Sequence, residues 1–194
     1  MTRTISFIAW RTWRPALLAL GLIATTASHA ETPAPVKTVN AVDLKRYVGT
    51  WYEIAHFPMF FQRKCVGDTT AEYQSNADGS IAVTNRCRND EGGLEQADGT
   101  ATVVPGSGNA KLEVTFFRPF KGDYWVIGLD ADYLWAVVCA PDRDTLWVLA
   151  RSATLAPADL EQALATARAQ GYRLDKLTYT SQAGKTSDPT KQTP

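Results

Sequence analysis

From residue 49 to residue 152 the chain alternates short runs of β-forming residues with turn residues. That rhythm limits the fold more than any other feature. The runs fall at 50–56, 69–74, 80–88, 95–104, 111–117, 124–129, 133–139 and 145–151. Asn76-Ala77-Asp78-Gly79 is a hairpin signal between the second and third. Clusters of Gly, Pro, Asn and Asp at 89–93, 105–109, 119–122, 130–132 and 141–144 punctuate the rest. These connections are too short for parallel crossovers, so neighbouring strands run antiparallel. Eight such strands in sequence order close into an up-and-down barrel or stack as a sandwich. Ile81, Val83 and Asn85 share one face of their strand, as do Leu112, Val114 and Phe116 of theirs. Bulky apolar residues mixed with a few polar ones suit a ligand cavity, and a filled core fits the same periodicity.

A helix is predicted at 157–170. Pro157 suits its first turn, Asp159 and Glu161 favour its positive end, and Gly171 can stop it. Leu160, Ala163, Leu164 and Ala167 form an apolar stripe that can dock outside a sheet. Residues 174–180 read as one more strand, and 183–194 as a flexible tail.

The N-terminus carries Arg3, Arg11 and Arg14, then an apolar stretch at 16–24, then Ser28-His29-Ala30. This is the pattern of a secretory signal peptide cleaved after Ala30. A tether with Pro33 and Pro35 follows at 31–40, then one domain at 41–182. The expected location is periplasmic or secreted, with outer-membrane association left open. Arg11 and Arg14 are not adjacent, which argues against a twin-arginine signal, and the first cysteine is Cys65, so no lipid anchor is expected at the cut. The whole chain has 20 basic and 20 acidic residues. Losing three arginines with the signal leaves it mildly acidic, which argues against phosphate-driven binding of nucleic acid. No apolar run reaches the ~18 residues of a spanning helix.

Export permits disulfides. Cys65 precedes one predicted strand and Cys87 ends the next, so they can meet across a hairpin; closing that loop would contribute about 3 kcal/mol. A Cys65–Cys139 bond is the other pairing weighed. Cys139 lies in the apolar run Trp135-Ala136-Val137-Val138-Cys139 and suits a buried free thiol. His29 leaves with the signal, so His56 is the one histidine of the mature chain. It falls out of phase with Trp51, Glu53 and Ala55 and is expected to face outward. No metal site and no cofactor are expected.

The segment Gly49-Thr50-Trp51-Tyr52-Glu53-Ile54-Ala55 resembles the opening signature of the lipocalin family. Leu146-Trp147-Val148-Leu149-Ala150-Arg151 is similar to the family's closing signature. Leu129-Asp130-Ala131-Asp132-Tyr133 resembles its middle signature but lacks the threonine. Phe116-Phe117-Arg118-Pro119-Phe120 and Val138-Cys139-Ala140-Pro141-Asp142-Arg143-Asp144 narrow the likeness to the bacterial and apolipoprotein D-like branch, over about residues 42–182. The resemblance implies an eight-stranded antiparallel up-and-down barrel with one C-terminal helix packed outside. It also implies structural roles for Gly49, Trp51, Asp130, Tyr133 and Arg151. Trp51 would plug the closed end under the Arg151 guanidinium, a contact worth about 0.5–2 kcal/mol. The family is associated with fatty acids and lysophospholipids and with membrane maintenance. The implied function is therefore an exported binding protein, not an enzyme, holding a single-chain lipid as a monomer or homodimer.

Alternation in phase with Trp51 lines such a cavity with Glu53, Ala71, Tyr73, Ile81, Val83, Asn85, Leu112, Val114, Phe116, Tyr124, Val126, Trp147 and Leu149. The polar members, Glu53, Tyr73, Asn85 and Tyr124, could receive a headgroup or water. The first long connection carries Phe57, Met59, Phe60 and Phe61 with Arg63 and Lys64. It reads either as a lip for transient membrane contact or as a loop buried on the rim. Two other classes compete. One is a barrel enzyme using Cys139 on a hydrophobic substrate. The other is a haem or siderophore binder using His56.

Overall fold

The computed structural model describes residues 34–184. The expected signal peptide at 1–30, the start of the expected tether and the expected tail beyond Gly184 lie outside the described residues. The strands are β1 (Gly49–His56), β2 (Cys65–Ser75), β3 (Ile81–Asn89), β4 (Leu94–Val103), β5 (Lys111–Thr115), β6 (Gly122–Leu129), β7 (Trp135–Cys139) and β8 (Leu146–Ala150). Each pairs antiparallel with its sequence neighbours. β1 pairs with both β8 and β2, which closes the ring. The barrel expected from the sequence is therefore the fold, and the sandwich is excluded.

Helix α1 (Leu44–Tyr47) precedes β1, and its N-terminus is capped by the Asp43 carboxylate, which accepts from the Lys45 N–H. Helix α2 (Pro157–Ala169) follows β8 with Pro157 in its first turn. It buries Ala163, Leu164 and Ala167 against the outer face of the sheet. The approach is close: a side chain at Gly128 on β6 would lie 2.9 Å from Thr166 Cγ2. The region expected as one strand at 174–180 is instead a short 3-10 turn, Leu174–Lys176, and a two-residue strand β9, Thr178–Tyr179, paired with β1.

Two apolar clusters result from the alternation of side chains across one sheet. The inner one includes Trp51, Tyr73, Val83, Leu112, Val126 and Leu149. The outer one sits between sheet and α2 and includes Phe57, Ile127, Trp135, Val137, Cys139 and Val148. β7 contributes to both faces and is buried throughout, as its uninterrupted apolar sequence requires. The described part of the tether is docked, with Val36 buried and Val39 N–H donating to Val126 O at 2.9 Å.

The strands alternate in direction, so the loops sort by end. The connections at 76–80, 104–110 and 130–134 share one end with α1. Those at 57–64, 90–93, 116–121 and 140–145 share the other. The Cys65–Cys87 disulfide joins β2 to β3 near the second end, and Cys139 is free and buried.

Candidate functional site

The end bearing α1 is sealed. Trp51 is fully buried, and its indole N–H donates to Tyr47 O at 2.8 Å. The Arg151 guanidinium lies 3.9 Å from the indole centroid. It also donates to Thr50 O at 3.1 Å, to Tyr47 O at 3.1 Å and to Arg46 O. Those last carbonyls belong to the end of α1, where helical carbonyls need partners. Burial lowers the Arg151 pKa, and the nearby Tyr47 and Tyr124 act against that shift. The incomplete middle signature still does local work. The Asp130 carboxylate accepts from the N–H of Asp132 at 2.9 Å and of Leu134 at 3.1 Å. Tyr133 Oη accepts from Asp43 N–H at 2.8 Å, and Arg46 covers the Tyr133 ring at 4.1 Å.

Above this plug, three tyrosines meet inside the barrel. Tyr124 Oη is 2.8 Å from Tyr47 Oη and accepts from Tyr73 at 3.0 Å. Burial pushes the Tyr73 hydroxyl up to about 12, against the contrary effect of its bond to Tyr124. Burial likewise raises Tyr47 and Tyr124, so all three stay neutral donors at ordinary pH. A void of about 10 Å³ lies among Tyr47, Tyr73, Ile81, Leu112 and Tyr124. That is room for one water at most, and the walls are apolar. The lower half of the barrel is thus filled.

The upper half differs. The pairing register keeps Ala71 opposite Asn85, Asn85 opposite Ala97, Val83 opposite Gly99, and His56 opposite Trp147. Ala71, Asn85, Val114, Phe116 and Trp147 point inward yet are only partly buried, and Ala97 is exposed. Water therefore reaches the inner face here. β5 stops at Thr115, so β4 loses that neighbour above Thr100. A groove of about 630 Å³ occupies the notch between β4 and the 116–121 loop and touches the inner wall at Gly99 and Phe116.

Every residue of the expected lining sits on the inner face. Tyr73, Ile81, Val83, Leu112, Val126 and Leu149 are in the packed part, with Ala71, Val114, Phe116, Tyr124 and Trp147 bordering it. Asn85 Oδ1 is buried with no hydrogen-bond partner among the described residues. Glu53 is 3% exposed and faces Leu149 across the strands. Its carboxylate accepts from Gln62 Nε2 and from the Thr180 hydroxyl, both at 2.6 Å, and lies 2.9 Å from His56 Nδ1. Glu53 thus ties the first loop and the C-terminal segment to the wall. Gln182 adds to the same seam by donating to Glu53 O at 2.8 Å and Thr69 O at 2.9 Å.

Two expectations are corrected. The register between β1 and β8 shifts between Glu53 and Ala55. This bulge turns Ala55 outward and brings His56 onto the inner face, where the sequence placed it outside. Phe57, expected in the lip, is 1% exposed and packs outside the barrel against Tyr172, with Lys176 Nζ 4.3 Å from its ring centroid. It cannot touch a membrane. Cys139 is the buried free thiol expected; it pairs with Trp125 on the outer face, beneath α2, away from the lumen that the competing enzyme reading needs. Burial raises its thiol pKa to about 11, so it is held as the thiol at ordinary pH. Among the described residues no three His, Cys, Asp or Glu side chains are grouped to hold a metal ion.

Sequence reasoning missed the small inward residues of β4, Ala97, Gly99 and Ala101, and the floor residue Tyr47. The β4 signal was present as small residues alternating with polar Gln96, Asp98, Thr100 and Thr102.

The family model for a lipocalin-like domain matches residues 42–182. The outer membrane lipoprotein Blc of Escherichia coli strain K12 is 39% identical over 163 residues, 84% of this chain and 92% of that protein. Mouse apolipoprotein D is 31% identical over 159 residues, covering 78% and 82% of the two chains. Insecticyanin from the tobacco hornworm superposes with a TM-score of 0.63 at 23% identity, over 75% of this chain and 84% of that one.

Proposed function

Because the chain belongs to the lipocalin-like family, we propose that it is an exported carrier that holds one single-chain lipid, a fatty acid or a lysophospholipid, in the upper half of its barrel. The observation that carries this reading is a contrast within the lumen: the inward residues Ala71, Val114, Phe116 and Trp147 are only partly buried, while Trp51, Ile81, Ala101 and Leu112 around the tyrosine floor are buried. A hydrocarbon chain would cover Ala71, Val114, Phe116 and Trp147, with Tyr124 and Asn85 as polar contacts.

Magnitudes favour a single tail. Each buried methylene contributes about 0.8 kcal/mol, so even half of a 16-carbon chain gains roughly 6 kcal/mol. That is within the ~4–15 kcal/mol that association costs, and micromolar binding needs further contacts at the headgroup. A barrel of eight strands has room for one small ligand, not two tails and a bulky head. The signal-like N-terminus supports a role in the cell envelope, in storage, transport or maintenance of lipids. Met59, Phe60 and Phe61 are suited to contact the membrane from which the lipid comes.

Native mass spectrometry of protein purified from its own periplasm, with extraction of the bound material, tests the reading. A mass increment matching one fatty acid or lysophospholipid per chain is expected. Haem, a siderophore or persistently empty protein would contradict it.

A further inference from the structure

Four phenylalanines stand out from the end of the barrel opposite α1: Phe60 is 81% exposed, Phe61 62%, Phe117 77% and Phe120 76%. They come from two loops, 57–64 between β1 and β2 and 116–121 between β5 and β6. In the ring order these loops stand on opposite sides of the mouth. Exposed aromatic side chains in such number at one end mark an interaction surface.

Both loops are held with their rings outward. Phe60–Gln62 forms a 3-10 turn whose Gln62 is anchored to buried Glu53. Phe60 and Phe61 pack edge to face on each other, 5.4 Å apart. In the second loop Phe120 N–H donates to Phe117 O at 2.8 Å, and Lys121 pairs with Glu113 at 2.6 Å. Each loop also carries two cations, Arg63 with Lys64 and Arg118 with Lys121, and neither carries an acid. The other two connections of this end carry the acids Asp90, Glu91, Asp142 and Asp144, and Glu113 and Asp123 lie beside the second loop on β5 and β6. At the sealed end, by contrast, Leu134 is the large apolar side chain left exposed, and Arg46 and Arg151 are committed to carbonyls.

We propose that these two loops are feet that seat the mouth on a phospholipid bilayer. The four phenylalanines enter the boundary between headgroups and acyl chains, and Arg63, Lys64 and Arg118 reach lipid phosphates. Aromatic and long basic side chains suit that interface because one end is apolar and the other wet. Seated this way, the upper lumen faces the leaflet, and a lipid passes between them without crossing bulk water. This use of the surface rests on the carrier reading above; docking itself is measured separately.

The test is co-sedimentation of the full mature chain with vesicles of phosphatidylethanolamine and phosphatidylglycerol. Phe60→Ser with Phe61→Ser, and Phe117→Ser with Phe120→Ser, are each expected to lower partitioning by roughly tenfold or more. Arg118→Gln is expected to lower it about fivefold, with a smaller effect on vesicles of phosphatidylcholine alone. Leu134→Ser, at the sealed end, leaves it unchanged. Circular dichroism melts confirm that each variant is folded. Phenylalanine variants that partition like the wild type, or a Leu134→Ser variant that loses as much, would overturn the proposal. So would a dimer that the same variants disperse, with no binding to vesicles. A soluble fluorescent fatty acid, titrated into wild-type protein without vesicles, separates the two readings. Docking without such binding would overturn the carrier alone, and binding without docking would overturn the feet alone.

Discussion

At the end where Tyr47, Trp51 and Arg151 meet, the inner side chains are shut from water and the guanidinium answers three carbonyls. At the other end Asn85 Oδ1 has no partner, Ala97 is exposed, and four phenylalanines face solvent. The same β-strands run through both regions, so secondary structure does not explain the difference. What differs is the side chains that alternation delivers to the lumen. Aromatic rings fill the bottom, while higher up β4 supplies Ala97, which is exposed, and Gly99, against which the Phe116 ring lies. One end is built for stability and the other for contact, and substitutions should sort accordingly.

The largest effect is expected at Trp51. Trp51→Ala removes a fully buried ring and its hydrogen bond, and should cost about 3–5 kcal/mol in denaturant unfolding. A cost below 1 kcal/mol would break the comparison. Arg151→Ala should cost about 2–3 kcal/mol, with a Tm drop of roughly 5–10 °C, and leave ligand preference intact. Altered preference at unchanged stability would move Arg151 into the site.

The tyrosine floor gives a pH dependence. Its hydroxyls have raised pKa values when folded, that of Tyr73 reaching about 12 from an ordinary value of 10.0. Tyrosines of the unfolded chain ionise first, so their contribution is complete below about pH 10 and declines as pH rises toward 12. Denaturant melts at stepped alkaline pH should show this fall, and Tyr73→Phe should flatten it. A stability that stays level through that window would show that the cluster is reached by solvent. The smallest effect is expected at the open end. Asn85→Leu removes an amide with an unpartnered oxygen and should raise stability by up to about 1 kcal/mol. A loss would reveal a partner for Asn85 in the folded chain.

Much of this was legible in the residues. Short connections and period-two alternation led to antiparallel strands, and the signatures around Trp51 and Arg151 chose a barrel over a sandwich. The facing of the thirteen lining residues followed from counting in twos. Counting failed at His56 because a bulge adds a residue to one strand without any mark in composition. It failed at Phe57 for a related reason. A phenylalanine beside exposed phenylalanines looks like them in sequence, and only the packing of Tyr172 and Lys176 distinguishes it. Tyr47 was missed because its side chain enters from a four-residue helix, outside any strand pattern. Exposure was the hardest to foresee, since which inward side chains stay partly open to water depends on the sum of many side-chain volumes.

The central claim is that hydrocarbon occupies the upper lumen and stops at the tyrosines. A crystal structure with a fatty acid carrying bromine on its terminal carbon tests it directly. Anomalous density is expected inside the ring, bordered by Val114, Phe116 and Trp147 and above Tyr73 and Tyr124. Bromine found only on the outer surface, with the upper lumen collapsed onto its own side chains, would contradict the account.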